Sequence, residues 1–289
     1  MIRALTLALL LGAATSAAAA PSSVIPAAIY TDPPADKAHP ASMEVLHIPS
    51  GGVEINAIAY LATGAGPHPT VILFHGLPGN EKNLDLAQAI RRAGWNVVAP
   101  NYRGSWGSPG NYRFRQNLAD ADAVLAFVRD PANAGRLRID TRRLALVGHS
   151  MGGWVAANTA SHDTGLIGVV TISAGDAGAM ASAPRAGVVA TMADNREALA
   201  GVTPESMADE VATLGDTAFP KIAPGLKATP YLALTSDDGL AGFTDALVAG
   251  VKVAGGTKVS TAHVATDHSW SDRRIDLEAR IITWLQGLK

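Results

Sequence analysis

Leu144-Ala145-Leu146-Val147-Gly148-His149-Ser150-Met151-Gly152-Gly153-Trp154-Val155-Ala156-Ala157 decides how the rest of the chain is read. The residues before Gly148 form a short apolar run, as in a strand buried on both faces. The run from Trp154 onward is helix-prone. Between the two the chain must turn sharply, with Ser150 at the tip. A Gly-x-Ser-x-Gly turn between strand and helix projects the serine hydroxyl above the sheet. Gly148 and Gly152 remove Cβ atoms where backbone must pass close to backbone. The turn therefore predicts a nucleophilic serine.

Working outward, apolar runs and turn residues predict strands at 43–48, 53–61, 70–74, 95–99, 143–147, 167–172, 231–235 and 258–262. Helical spacing predicts helices at 81–93, 119–128, 244–253 and 273–288. Gly94 supplies a stop for the first of these. Alternating strands and helices imply an α/β fold with a doubly wound, mostly parallel sheet. Residues 178–229 break the alternation. They are helix-prone in pieces, punctuated by Pro204, Pro220 and Pro224. Connections between strand and helix usually run about 2–6 residues, so this stretch reads as a helical cap inserted between two strands. The hydrolytic domain is expected over 43–289.

The chain has 289 residues, 48% of them hydrophobic and 17% charged, which suits one large α/β domain. Aromatic residues are only 5%, so the core is built mainly from Ala, Val, Leu and Ile. The net charge of -2 comes without a basic stripe, so nucleic acid is not an expected partner. There is no cysteine, which removes disulfides, a thiol nucleophile and thiolate metal sites from consideration. Residues 1–20 carry Arg3, a short apolar run from Ala4 to Ala14 and a small-residue end. That pattern predicts a secretory signal and an exported, periplasmic or secreted, protein with no stable membrane insertion after cleavage. Residues 21–42, with Pro33-Pro34, read as an extended segment.

Acyl transfer by serine needs a nucleophile, a base, an acid that orients the base, and donors for the oxyanion. Ser150 is the candidate nucleophile. The turn resembles that of α/β-hydrolases, and the resemblance implies that the acid and then the histidine follow the serine along the chain. Of 8 histidines, only His263 and His268 come after the strand at 231–235. His268 lies in Asp267-His268-Ser269-Trp270, a loop before the last helix, and is preferred over His263 at the end of the preceding strand. Asp237 and Asp238 follow the strand at 231–235. One can orient His268 and the other serves the turn. Asp238, next to Gly239, is preferred, with Asp176 as a third choice. The oxyanion donors are expected to be the N–H groups of Met151 and of Leu77 in His75-Gly76-Leu77-Pro78-Gly79; Pro78 has no N–H. Leu77, Trp106 and Trp154 are expected to shape the pocket, the two tryptophans as substrate-binding residues. His-Glu-x-x-His and nucleotide-binding glycine patterns are absent from the sequence, so neither metal nor cofactor is expected.

His75-Gly76 after a buried strand, Gly148-His149-Ser150-Met151-Gly152-Gly153, an Asp after a later strand and His268 before the last helix together resemble the α/β-hydrolase superfamily. The resemblance covers roughly residues 43–288. It extends to dienelactone-hydrolase-like and prolyl-oligopeptidase-like esterases, whose Tyr-Arg-Gly loop is similar to Tyr102-Arg103-Gly104 here. The single glycine after His75 departs from the His-Gly-Gly-Gly of many lipases, and the dienelactone cysteine is missing. The resemblance implies a serine hydrolase cleaving a small-molecule carboxylic ester through an acyl-enzyme. A peptidase of the same fold and a non-catalytic binding protein on the same scaffold are the alternatives. The oligomeric state and the acyl and alcohol groups stay open.

Overall fold

The computed structural model describes residues 25–288. The expected signal at 1–20 lies outside the described residues, and the 21–42 segment is described from Ile25 onward. A 3-10 turn at Ala27–Ile29 precedes the first strand. The chain then runs β1 (Ser42–Ser50), β2 (Val53–Leu61), β3 (His68–Phe74), α1 (Leu84–Arg92), β4 (Asn96–Pro100), α2 (Phe114–Arg129), α3 (Pro131–Leu137) and β5 (Ile139–His149). It continues α4 (Met151–His162), β6 (Leu166–Ile172), α5 (Arg185–Ala193), α6 (Pro204–Val211), α7 (Phe219–Ile222), β7 (Tyr231–Ser236), α8 (Ala241–Val253), β8 (Val259–Val264) and α9 (Arg274–Gln286).

The described strands form one eight-stranded sheet in the order β1-β2-β4-β3-β5-β6-β7-β8. The β1–β2 hairpin and the β2–β4 pair are antiparallel; every other pair is parallel. The expected doubly wound sheet is therefore present. Successive strand residues point to opposite faces, and here both faces are covered. Ile72 and Phe74 of β3 join one core with α2, α3, α4 and the inserted helices, while Val71 and Leu73 join the other with α1 and α9. Leu144 and Leu146 of β5 face the first core, and Ala145 and Val147 the second.

Chain direction across the sheet reverses between β3 and β5. From β3 the next strand, β4, goes to one side; β5 and its successors go to the other. Connections diverge there, leaving a crevice at the C-terminal strand ends, where open α/β sheets bind ligands. The register aligns Phe74 with Gly148, so the loops after β3 and β5 start side by side.

Some boundaries differ from the sequence reading, each for a local reason. α1 starts at Leu84 rather than near 81, because Asn83 is left-handed (φ 55°) and its N–H is taken by the Glu81 carboxylate. α2 begins at Phe114. Its polar Asn117 and Asp120 hide the apolar period, yet both are buried: Asn117 donates to Tyr112 Oη at 2.9 Å, and Asp120 accepts the Arg103 N–H at 2.9 Å. α3 is too short to show periodicity. Asp130 caps it by accepting from the Ala132 and Asn133 N–H groups, with Pro131 at the first turn.

The insert is anchored at two places. Thr217 O accepts from Trp154 Nε1 at 3.2 Å and from Asn158 Nδ2 at 3.1 Å, both on α4. At the other side, residues 198–200 pair by main-chain hydrogen bonds with the loop after β4: Trp106 N–H to Ala198 O, Ala200 N–H to Gly104 O, and Tyr112 N–H to Ala200 O, at 3.1, 2.7 and 2.9 Å. α6 opens with a capping box in which Thr203 and Ser206 satisfy each other's backbone N–H.

Candidate active site

Ser150 sits between β5 and α4 with φ 56° and ψ -123°. A non-glycine residue held at positive φ is strained, and such strain concentrates at functional sites. The surroundings over-determine the turn. The Ser150 N–H donates to Ile172 O at 2.9 Å, and the Ser150 carbonyl accepts from Gly153 and Gly175 N–H at 2.9 and 3.2 Å. A Cβ on Gly148 would lie 2.0 Å from Gly152 O, and one on Gly152 would lie 2.2 Å from Phe74 O. Only glycine fits either place.

The loop after β3 passes directly over the serine. A Cβ on Gly76 would stand 2.9 Å from Ser150 Cβ and 3.3 Å from its Oγ. The next residue, Leu77, donates its N–H to no backbone carbonyl among the described residues. Met151, the first residue of α4, likewise has an N–H that no intrahelical acceptor can take. Its side chain is held from below by Tyr112 Oη, which donates to Sδ at 3.0 Å. These two amides and the positive end of the α4 dipole are suited to an oxygen that becomes negative above Ser150.

His268 Nδ1 lies 2.7 Å from Asp238 Oδ2. The carboxylate can only accept, so Nδ1 carries the hydrogen and Nε2 is left as the basic atom. The Asp238 side chain is 5% exposed. Burial works to raise its pKa, but the hydrogen bonds from His268 and the Leu240 N–H outweigh it, and the carboxyl lies below its usual value. The loop that carries His268 is tied to the elbow through His149, whose Nε2–H donates to His268 O at 2.8 Å, with the two rings 4.7 Å apart. His149 and His75, 4% and 3% exposed, are both pushed down to about 4 chiefly by burial, so both are neutral imidazoles.

The other candidates separate from this cluster. Asp237 turns away and pairs with His263 Nε2 at 2.9 Å on the surface. Asp176 is buried and its two oxygens accept from the Ala179 and Phe219 N–H groups at 3.0 and 2.8 Å, which makes it an anchor of the insert. Trp154 corrects the sequence reading. Its side chain is fully buried on the core side of α4 and its indole N–H is occupied by Thr217, so it presents nothing to a substrate. The face of α4 that it occupies packs under the insert. Trp106 is 38% exposed and donates to Pro78 O at 2.7 Å, which fixes it beside the loop over Ser150. Lys82 Nζ stands 4.1 Å above its ring, and burial lowers that amine to about 8. Three residues missed in the sequence also border the site: Ser173, Ser236 and Trp270. Their only sequence signal is position, at two strand ends and two places after His268.

Among the described residues no group of three or more His, Asp and Glu comes together as a metal site, and no helix is long and apolar enough to cross a membrane.

A model described as the alpha/beta hydrolase family matches residues 71–285. Two uncharacterized proteins from two strains of Mycobacterium tuberculosis are 29% identical over 129 residues, 44% of this chain and 44% of each relative. The match thus spans less than half the length of those relatives. Among solved structures, a thermostable carboxylesterase from a metagenomic library superposes with a TM-score of 0.61 at 21% identity, over 87% of this chain and 91% of that one. A carboxyl esterase from Bacillus coagulans gives 0.67 at 16% identity over 86% and 99%. An acylaminoacyl peptidase from Pyrococcus horikoshii gives 0.58 at 16% over 85% and 41%. At these identities the superpositions speak for the fold.

Proposed function

The chain belongs to the alpha/beta hydrolase family, and from that premise we propose that it is a serine hydrolase that cleaves a small-molecule carboxylic ester through an acyl-enzyme. The observation that carries the reading is the strained Ser150, roofed by Gly76 and joined through His149 to the His268–Asp238 pair. In the proposed cycle His268 Nε2 takes the Ser150 proton as Oγ attacks the ester carbonyl. Asp238 holds the imidazole in the tautomer this needs and stabilises its cation. The Met151 and Leu77 N–H groups receive the developing oxyanion. Collapse expels the alcohol, which leaves with the proton from His268, and water attacks the acyl-enzyme by the same route. Trp106 forms one wall of the substrate site. Export is part of the proposal and rests on the sequence of residues 1–20 alone; N-terminal sequencing of protein from the culture fluid or periplasm tests it.

The hydrolytic proposal is tested with p-nitrophenyl esters of graded chain length, run beside aminoacyl anilides. Esters are expected to turn over faster than anilides, and a fluorophosphonate probe is expected to label Ser150 in wild-type protein but not in Ser150→Ala. Anilide turnover above ester turnover would make it a peptidase. Absence of both turnover and label would make it a binding scaffold.

A further inference from the structure

The acid and the base loop of the proposed triad are joined a second time, through side chains that the triad does not use. Trp270 Nε1 donates to Ser173 Oγ at 3.0 Å. Ser173 Oγ and Ser236 Oγ are 2.7 Å apart. Ser236 is the last residue of β7 and lies two residues before Asp238. Trp270, Ser173 and Ser236 are 0%, 1% and 1% exposed.

An indole N–H can only donate, so Ser173 Oγ accepts from Trp270. Between Ser173 and Ser236 either hydroxyl can donate. Hydrogen bonds in such a dry interior are stronger than in water. The row meets the triad at both ends: Ser236 lies two residues before Asp238, Trp270 lies two residues after His268, and His268 bonds to Asp238.

The backbone is bent to allow this. Ser173 has φ 45° and Trp270 φ 58°, both in the region that disfavours side-chain-bearing residues. Ser173 also abuts the elbow: Ser150 N–H bonds to Ile172 O and Gly175 N–H bonds to Ser150 O. Two strained residues bonded to each other beside a third, Ser150, form a pattern expected of a positioning device.

We propose that Trp270, Ser173 and Ser236 form a hydrogen-bonded relay that positions Asp238 and His268 for catalysis. The relay rests on the proposed ester hydrolysis for its activity readout. Its effect is on orientation and on the His268 tautomer, so it acts on kcat rather than on substrate binding.

The test uses the full chain and the variants Ser236→Ala, Ser173→Ala and Trp270→Phe, which keeps a ring but has no N–H. Each is expected to lower kcat on p-nitrophenyl acetate about tenfold or more while KM stays within about threefold. The double variant Ser236→Ala/Trp270→Phe is expected to be no worse than its worse parent, because both cut one row. Independently of turnover, the 15N spectrum of His268 is expected to show a single Nδ1–H tautomer in wild-type protein and a mixture in Ser236→Ala. A folded Ser236→Ala or Ser173→Ala with kcat within about twofold of wild type, or losses that multiply in the double variant, would overturn the relay. If Trp270→Phe does not fold, the two serine variants decide. If Ser150→Ala leaves ester turnover intact, the hydrolytic reading fails, and the tautomer in Ser236→Ala still decides the relay: an unchanged single tautomer would sink it.

Discussion

Asp237 and Asp238 are neighbours, and each reaches an imidazole: Asp237 to His263 at 2.9 Å, Asp238 to His268 at 2.7 Å. The two pairs have the same chemistry and nearly the same length. Their side chains are 62% and 52% exposed in the first pair, but 5% and 38% in the second. Successive residues leaving a strand point to opposite sides, so one carboxylate falls outward along β8 and the other inward over the crevice. Water competes for every hydrogen bond of the outer pair. The inner carboxylate has instead His268 and the Leu240 N–H as fixed donors. An Asp–His pair becomes a candidate catalytic element through what surrounds it, not through its own distance.

The largest expected effect removes the group that only the inner pair can serve. Ser150→Ala is expected to lower ester turnover by about 10⁶, the scale seen when a triad nucleophile is deleted. Retention of a tenth of wild-type activity would show that neither pair works through Ser150.

Next, the pairs are set against each other directly. Asp238→Asn is expected to lower kcat by about 10⁴, because the amide no longer enforces the Nδ1–H tautomer or stabilises the cation. His268→Ala is expected to remove nearly all activity. Asp237→Asn and His263→Ala are expected to keep most of it. Steady-state kinetics on one ester settles the order, and a crippled Asp237→Asn would reverse the comparison.

A third expectation concerns imidazoles buried without any carboxylate. His75 and His149 lie at about 4, below the ordinary 6.5, mainly through burial. The unfolded chain therefore takes up these protons first as pH falls. Stability is fully present above about 6.5 and is lost progressively down to about 4, by roughly 3 kcal/mol per histidine. Urea unfolding at pH 7 and near pH 4.5 measures this, and His149→Gln is expected to flatten the dependence by about half. Unchanged stability over that window would mean that the two rings are not held neutral.

The smallest effect belongs to the outer pair. His263→Ala is expected to change stability by no more than about 0.5 kcal/mol, as for most exposed ion pairs. A larger loss in thermal melting would show that the outer pair pins β8 to the sheet.

Much of this arrangement is legible in the chain because it is local. The elbow, the loop His75-Gly76-Leu77 and the loop Asp267-His268 each announce themselves by glycine or by position next to an apolar run. The choice of Asp238 over Asp237 follows from strand parity once the end of β7 is known. Trp154 could not be placed from sequence, since either face of α4 is apolar and only the insert decides which is covered. The relay was hidden for another reason. Ser173, Ser236 and Trp270 come from three separate parts of the chain, and their hydrogen bonds exist only after β6 and β7 pair. α2 was read short because buried Asn117 and Asp120 look like solvent-facing residues until their partners are known.

The main-chain pairing between residues 198–200 and the loop after β4 has a consequence for how this molecule can diversify. Those contacts use amides and carbonyls that nearly every residue carries. The rim beside Trp106 is therefore closed by backbone, and Ala198 and Ala200 bring no side chain to that closure. Such a rim can be re-dressed residue by residue while its closure holds, so a lineage can change what it admits without first having to rebuild the machinery beneath.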